Sequence, residues 1–384
     1  MRQFGLVSHA MRLRIVAIFG FCLCALGSQT RAEPVHYDWR LEDGLEYDTN
    51  PSRIESIAGS DPQPASPASL LARLVASGNL SAPLGQNNAL ALSGALGGKW
   101  FADRGARADN VLVLQAAAAD TLRLGQRTQA ALTGAYYDVY QRRSFDLPDF
   151  RSAAPSLRLA QGLGKTILAS IGGGYRWFTF KPDDAYSFAA PTAFVAIRHT
   201  LPGDLLDGGA DWEWSAGGSF EARDFVGPAC TASGCGSAAG STAHRDRFWI
   251  GHAEFSRTGR WLFGSGAALH INHSNSYGEA LLRGLFHVRA VVPLPWDLSL
   301  SARGEVVATR YADPLTFSQP VAGLPSASIE DESRSAFRID LARLFQGRFE
   351  LGARYVYYTS APASGALGYR RQTALLYLAF LDES

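Results

Sequence analysis

Residues 210–223 carry two interleaved periodicities that only one kind of surroundings satisfies. Alternate positions read Ala210, Trp212, Trp214, Ala216, Gly218, Phe220 and Ala222, and those between them read Asp211, Glu213, Ser215, Gly217, Ser219, Glu221 and Arg223. A period of two puts the two sets on opposite faces of one extended strand. Soluble sheets use strands of about 5–6 residues, whereas a tilted strand crossing a bilayer needs about 9–11. An apolar face opposite a charged one, sustained over such a length, describes a strand in the wall of a transmembrane barrel.

The pattern recurs along the chain. Strands are expected near 36–47, 69–82, 88–101, 109–123, 127–141, 155–163, 166–180, 190–200, 209–224, 246–257, 260–274, 279–292, 296–310, 334–343, 347–359 and 369–381. The fold class is therefore all-β, a transmembrane antiparallel up-and-down β-barrel of about 16 strands (14–18). In 296–309, Trp296, Leu298, Leu300, Ala302, Gly304, Val306 and Ala308 alternate with Asp297, Ser299, Ser301, Arg303, Glu305, Val307 and Thr309. Short connections (Pro83 to Asn87, Gly125-Gln126, Gly164-Lys165, Thr258-Gly259, Pro293 to Pro295, Gln346-Gly347) alternate with long ones (48–68, 142–154, 181–189, 225–245, 311–333, 360–368). That is the asymmetry of outer-membrane barrels, whose short turns face the periplasm.

Residues 1–32 have the form of a secretory signal, leaving 33–384 for the barrel. Arg12 and Arg14 precede an apolar run from Ile15 to Leu26, and Thr30-Arg31-Ala32 offers a cleavage site. Met1 and Met11 are alternative starts. The segment carries four Arg and no acid, so its removal takes the formal net charge from +1 to −3, which argues against nucleic acid as a partner. A mean hydropathy of −0.05 fits a wall in which apolar and polar residues alternate. Beyond the signal the cysteines are Cys230 and Cys235, in a Gly- and Ser-rich loop. In an oxidising compartment that spacing suggests a local disulfide; a metal site would need further ligands, of which only His244 is close in sequence.

Trp39, Trp212, Trp214, Trp261 and Trp296 fall near short-turn ends, and Trp100, Trp177 and Trp249 near long-loop ends. Two belts of this kind are expected at the two membrane interfaces. The stretch Arg40-Leu-Glu-Asp-Gly-Leu-Glu-Tyr-Asp-Thr-Asn-Pro resembles the opening strand and first loop of Gram-negative outer-membrane barrels of the porin type. It is also similar to the barrels of surface-lipoprotein assembly modifiers and of some exopolysaccharide-associated proteins. The final strand, with Leu376, Leu378 and Phe380 at alternate positions, resembles the assembly signal of such barrels, but Leu381-Asp-Glu-Ser follows where an aromatic residue normally closes the chain. The resemblance implies a porin-like channel for passive diffusion of small polar solutes in the Gram-negative outer membrane. Its partners would be membrane lipid, lipopolysaccharide and the barrel-assembly machinery. The alternatives are a barrel of a polysaccharide or lipoprotein export or assembly pathway, and an outer-membrane lipid hydrolase.

The expected functional surface is the lumen. Its candidate lining is Arg40, Glu42, Arg73, Arg176, Asp211, Glu213, Glu221, Arg223, Arg283, Arg289, Arg303, Glu305, Arg338, Asp340 and Arg354. Rings of charged side chains tune what passes a pore, although Arg–carboxylate pairs also brace a wall. The mixture of signs predicts no strong preference for either charge. No cofactor, metal or catalytic residue is expected. The cluster from His270 to Gly278 holds His and Ser, but His273 and Ser274 are adjacent and point to opposite faces of a strand. No nucleophile elbow, zinc-protease motif or phosphate loop occurs.

Overall fold

The computed structural model describes residues 35–51, 56–57, 68–141, 149–181, 183–203, 210–231, 242–312, 335–360 and 367–383. Residues 1–34 lie outside this set, and with them the signal segment. The strands are β1 (His36–Asp48), β2 (Ser56–Ile57), β3 (Ser69–Pro83), β4 (Asn88–Phe101), β5 (Val111–Arg123), β6 (Thr128–Gln141), β7 (Phe150–Gly162), β8 (Ile167–Phe180) and β9 (Phe188–Leu201). They continue as β10 (Asp211–Pro228), β11 (Ala243–Thr258), β12 (Leu262–Ser274), β13 (Leu281–Pro293), β14 (Leu298–Tyr311), β15 (Ser335–Phe345), β16 (Phe349–Ser360) and β17 (Leu367–Glu383).

Sixteen of these close a barrel. Each long strand pairs antiparallel with its sequence neighbours, and β1 pairs with both β3 and β17, so the wall has no free edge. The two-residue β2 adds only to the first residues of β17, Leu367 and Gly368. Among the described residues no helix is long and apolar enough to cross a membrane.

The expected strands fall close to those observed. Two of the departures have local causes. The strand expected at 155–163 begins at Phe150, because Phe150 and Ser152 continue the inward set through a stretch whose composition reads as loop. The strand expected at 296 begins at Leu298, because Trp296 and Asp297 form the turn, both with positive φ (63° and 58°). Gln346 and Gly347, at 52° and 70°, make the same left-handed turn before β16, the geometry that suits the right-handed twist of a hairpin.

Side-chain direction follows the alternation. Leu45, Ile171, Val195, Phe286, Leu376 and Leu378 point outward and are exposed. The outward tryptophans stand near strand ends: Trp39 and Trp214 toward the short turns, Trp100, Trp177 and Trp249 toward the long loops. Trp261 and Trp296 lie in short turns themselves.

Asp138 also faces outward, at the long-loop end of β6, yet it is fully buried. The hydroxyls of Tyr136 and Tyr140 donate to it at 2.8 and 2.7 Å, Arg151 Nε donates at 3.1 Å, and Lys181 Nζ lies 2.7 Å away. Four donors replace the water that this carboxylate loses. Asp43 departs from that pattern: it faces outward in register with Leu74 and Leu378, and no hydrogen bond or ion pair reaches it among the described residues.

The two faces differ in what they tolerate. Leu376→Arg, near mid-height on the outer face, should cost about 2–4 kcal/mol, whereas Ser301→Arg, which points inward, should cost little. Urea unfolding of the refolded variants in lipid vesicles measures both.

Candidate functional site

All fifteen lumen candidates occupy inward-facing positions of the register, and the structure gathers twelve of them into two walls of different chemistry.

One wall spans the seam where the first strand meets the last. Inward positions of β1 carry Glu42, Glu46 and Asp48, all nearly or fully buried. Their partners come from both sides. Glu42 meets Arg354 Nη1 of β16 at 3.2 Å and Arg73 Nε of β3 at 3.5 Å. Glu46 meets Lys99 Nζ of β4 at 2.8 Å and Arg73 at 3.5 Å. Asp48 is gripped by Arg371 of β17 through Nε and Nη2, the latter at 2.6 Å. Arg354 and Arg338 share Asp340 of β15, and Arg40 bridges Glu42 and Glu350. Tyr377 donates its hydroxyl to Glu350, and its ring covers the space above Gly352, where a Cβ would run into the ring. Every charge here has an opposite neighbour, so this wall is a brace.

The other wall leaves charge unbalanced. Two cavities of about 940 and 820 Å³ occupy the lumen and share Asn79, Ser93, Ala117 and Ala135 in their linings. Small side chains on β3 to β6 (Ser77, Ser93, Ala117, Ala135), beside the longer Gln115, leave this space open. Facing them, Arg176, Arg223, His270, Arg283, His287 and Arg303 line the larger cavity together with Glu305. Glu221 neutralises part of this set, 2.9 Å from Arg176 and 3.0 Å from Arg223, and Arg303 pairs with Glu305 at 2.9 Å. Among the described residues Arg283 donates to Thr309 alone, at 3.0 Å. The balanced interior expected from composition is therefore replaced by segregation: paired charge at the seam, an arginine excess across the cavity. The second cavity reaches His36 and Glu383, at the short-turn end.

The remaining candidates lie elsewhere. Arg289 folds over Gly264. Asp211 accepts from the backbone N–H of Gly203 at 2.9 Å, and Glu213 faces Thr200 and Arg198, both at the short-turn end and outside the two cavities. Alternation placed these groups on the inner face, but strand neighbours and height decide which of them border open space.

Sequence reading missed one cluster. At the long-loop end, His244 and Asp246 of β11 and Asn272 and Ser274 of β12 face inward, beside Glu279 in the loop that follows. Nε2 of His244 stands 3.0 Å from Asp246 Oδ1, 3.3 Å from Ser274 Oγ and 3.5 Å from Glu279 Oε2. Burial, reinforced by the negative charge of Asp246, outweighs the pull of His244 and pushes the Glu279 carboxyl up to about 7. The imidazole lies flat on Phe225, with ring centroids 3.8 Å apart. Phe225 ends an inward ladder of rings through Phe188, Phe178, Phe150 and Tyr137 on successive strands. Histidine, carboxylate and serine suggest nucleophilic catalysis, but that relay needs the serine on one ring nitrogen and the carboxylate on the other. Here all the oxygens face the same nitrogen. The i, i+2 spacing of His244 and Asp246 was the available signal, since it puts both on one face.

No known protein family matches the sequence, and no curated protein does. Solved structures that resemble the fold include OccK11 (OpdR) of Pseudomonas aeruginosa, with a TM-score of 0.43 and 11% identity over 91% of this chain and 96% of that one. Others are OmpT of Vibrio cholerae (0.44, 12%, 92% and 99%) and OccAB3 of Acinetobacter baumannii (0.44, 9%, 91% and 99%).

Glu42→Gln strips a buried partner from both Arg73 and Arg354 and should destabilise the barrel by roughly 3–5 kcal/mol. Arg40→Ala, whose side chain is 30% exposed, should cost under about 1 kcal/mol. Denaturant midpoints of refolded barrels compare the two.

Proposed function

We propose that the chain is an outer-membrane channel of porin type through which small polar solutes diffuse passively. Residues 1–32 direct its export and 33–384 form the barrel. The observation that carries this reading is the pair of adjoining cavities inside a closed wall whose outer face is apolar. Sixteen strands enclose enough width for an aqueous path, and small side chains on one side keep it clear. The long loops face outward and the short turns face the periplasm, as this class of barrel is inserted. The final strand serves the assembly machinery during biogenesis, and lipid and lipopolysaccharide surround the finished wall. Cys230 and Cys235 close a small loop by a disulfide; Cys235 lies outside the described residues.

The arginine excess opposite the small-residue wall supports a preference for anions over cations among the solutes that pass. A cavity lined by one sign of charge raises the local concentration of the other, and a ring of arginines acts this way in a pore. An export or assembly role finds no comparable support in the described residues.

Planar-bilayer recording tests both levels. The refolded protein should conduct, with conductance falling as solute size rises, and in a KCl gradient the reversal potential should favour chloride. The double variant Arg283→Ala, Arg303→Ala should lower that chloride preference at least twofold without closing the channel. A barrel that folds but never conducts would remove the channel reading.

A further inference from the structure

The cluster at the long-loop mouth has the layout of a metal site. In a four-coordinate site with bonds of about 2.0–2.1 Å, neighbouring ligand atoms stand roughly 3.3 Å apart. The oxygens of Asp246, Ser274 and Glu279 lie 3.0, 3.3 and 3.5 Å from His244 Nε2. The nitrogen and the two carboxylate oxygens all fall within 4.8 Å of one another.

We propose that His244, Asp246 and Glu279 bind a divalent transition-metal cation of the Zn²⁺ class, with Ser274 Oγ or a water as the fourth ligand. The assignment is independent of what the channel conducts. An imidazole with two carboxylates and no thiolate suits zinc and its first-row neighbours, while calcium and magnesium sites are built from oxygens alone. Two carboxylates stand together in a place where His244 and Asp246 are 3% and 2% exposed. A dication cancels that charge, which one imidazole cannot do.

The surroundings hold the donors in place. The Phe225 stack fixes the imidazole plane. Asn272, 5% exposed, donates Nδ2–H to Asp246 Oδ2 and to the Glu279 carbonyl, each at 2.9 Å, and so orients one ligand and the backbone of another. Its Oδ1 is buried and has no hydrogen-bond donor among the described residues. A metal-bound water is the donor this acceptor lacks. Glu279 is the most exposed of the three, its side chain 18% accessible, and marks the way in.

The ion joins elements distant in sequence. Glu279 belongs to the loop between β12 and β13, whose Ser276 Oγ and Tyr277 N–H already bind the backbone N–H and carbonyl of Cys230, each at 3.0 Å. A bound cation fastens this loop to β11 and so ties the rim of the mouth to the wall.

Full-length protein, refolded in detergent and stripped with EDTA, is titrated with Zn²⁺ by calorimetry, and metal retained after desalting is counted by mass spectrometry. One retained equivalent is expected. His244→Ala and Glu279→Gln should each weaken binding at least tenfold, and His273→Ala, on the outer face, should leave it unchanged. Glu279→Gln sits at the edge of the cluster, so heat-modifiable gel mobility should report a folded barrel even if His244→Ala misfolds. The proposal is overturned if no equivalent is retained, if Glu279→Gln binds Zn²⁺ as tightly as the parent, or if Ca²⁺ binds in preference to Zn²⁺.

Discussion

Lipid offers a backbone no hydrogen bonds, and this structure is organised around that deficit. Each N–H and C=O at membrane depth has to find its partner within the protein, and a sheet achieves this only when its last strand returns to its first. The β1–β17 pairing, eleven residue pairs from Asp38–Glu383 to Asp48–Thr373, completes that circuit. Closure fixes the two faces, and the faces fix the composition: leucine, aromatic and small residues outward, charge inward.

Within the lumen, charge is handled in two ways. Around the seam it is spent on cohesion, with Glu42, Glu46 and Asp48 each held by arginine or lysine from the nearest two strands on either side. Across the cavity, arginines stand over small residues with too few acids to match them. The braced side allows the other to remain uncompensated, because a wall secured at its seam can tolerate repulsion elsewhere. The outer face follows the same economy: Asp138 is acceptable among outward side chains because four donors surround it.

Much of this was legible in the chain. Alternation marks strands and faces directly, since a period of two survives whatever the strand packs against. Alternating loop lengths reveal the two ends. Turns were less readable, because nothing in Trp296 or Asp297 announces a positive φ. The lumen groups could be placed on the inner face but not partnered. Arg40 and Glu350 are separated by 310 residues and meet only because the ring closes. His244 and Glu279 come together because β11, β12 and the following loop fold back at one height, information that lies in the register and not in any short motif.

The acids of β1 also determine how wide the tube can be. A slip of one residue along the seam would turn Glu42, Glu46 and Asp48 into hydrocarbon and Leu41, Leu45 and Tyr47 into water. A slip of two would preserve the faces but draw Asp48 away from Arg371. Strand count and stagger together set a barrel's radius, so these few carboxylates act as a gauge, and the bore of the barrel is written into the thirteen residues of β1.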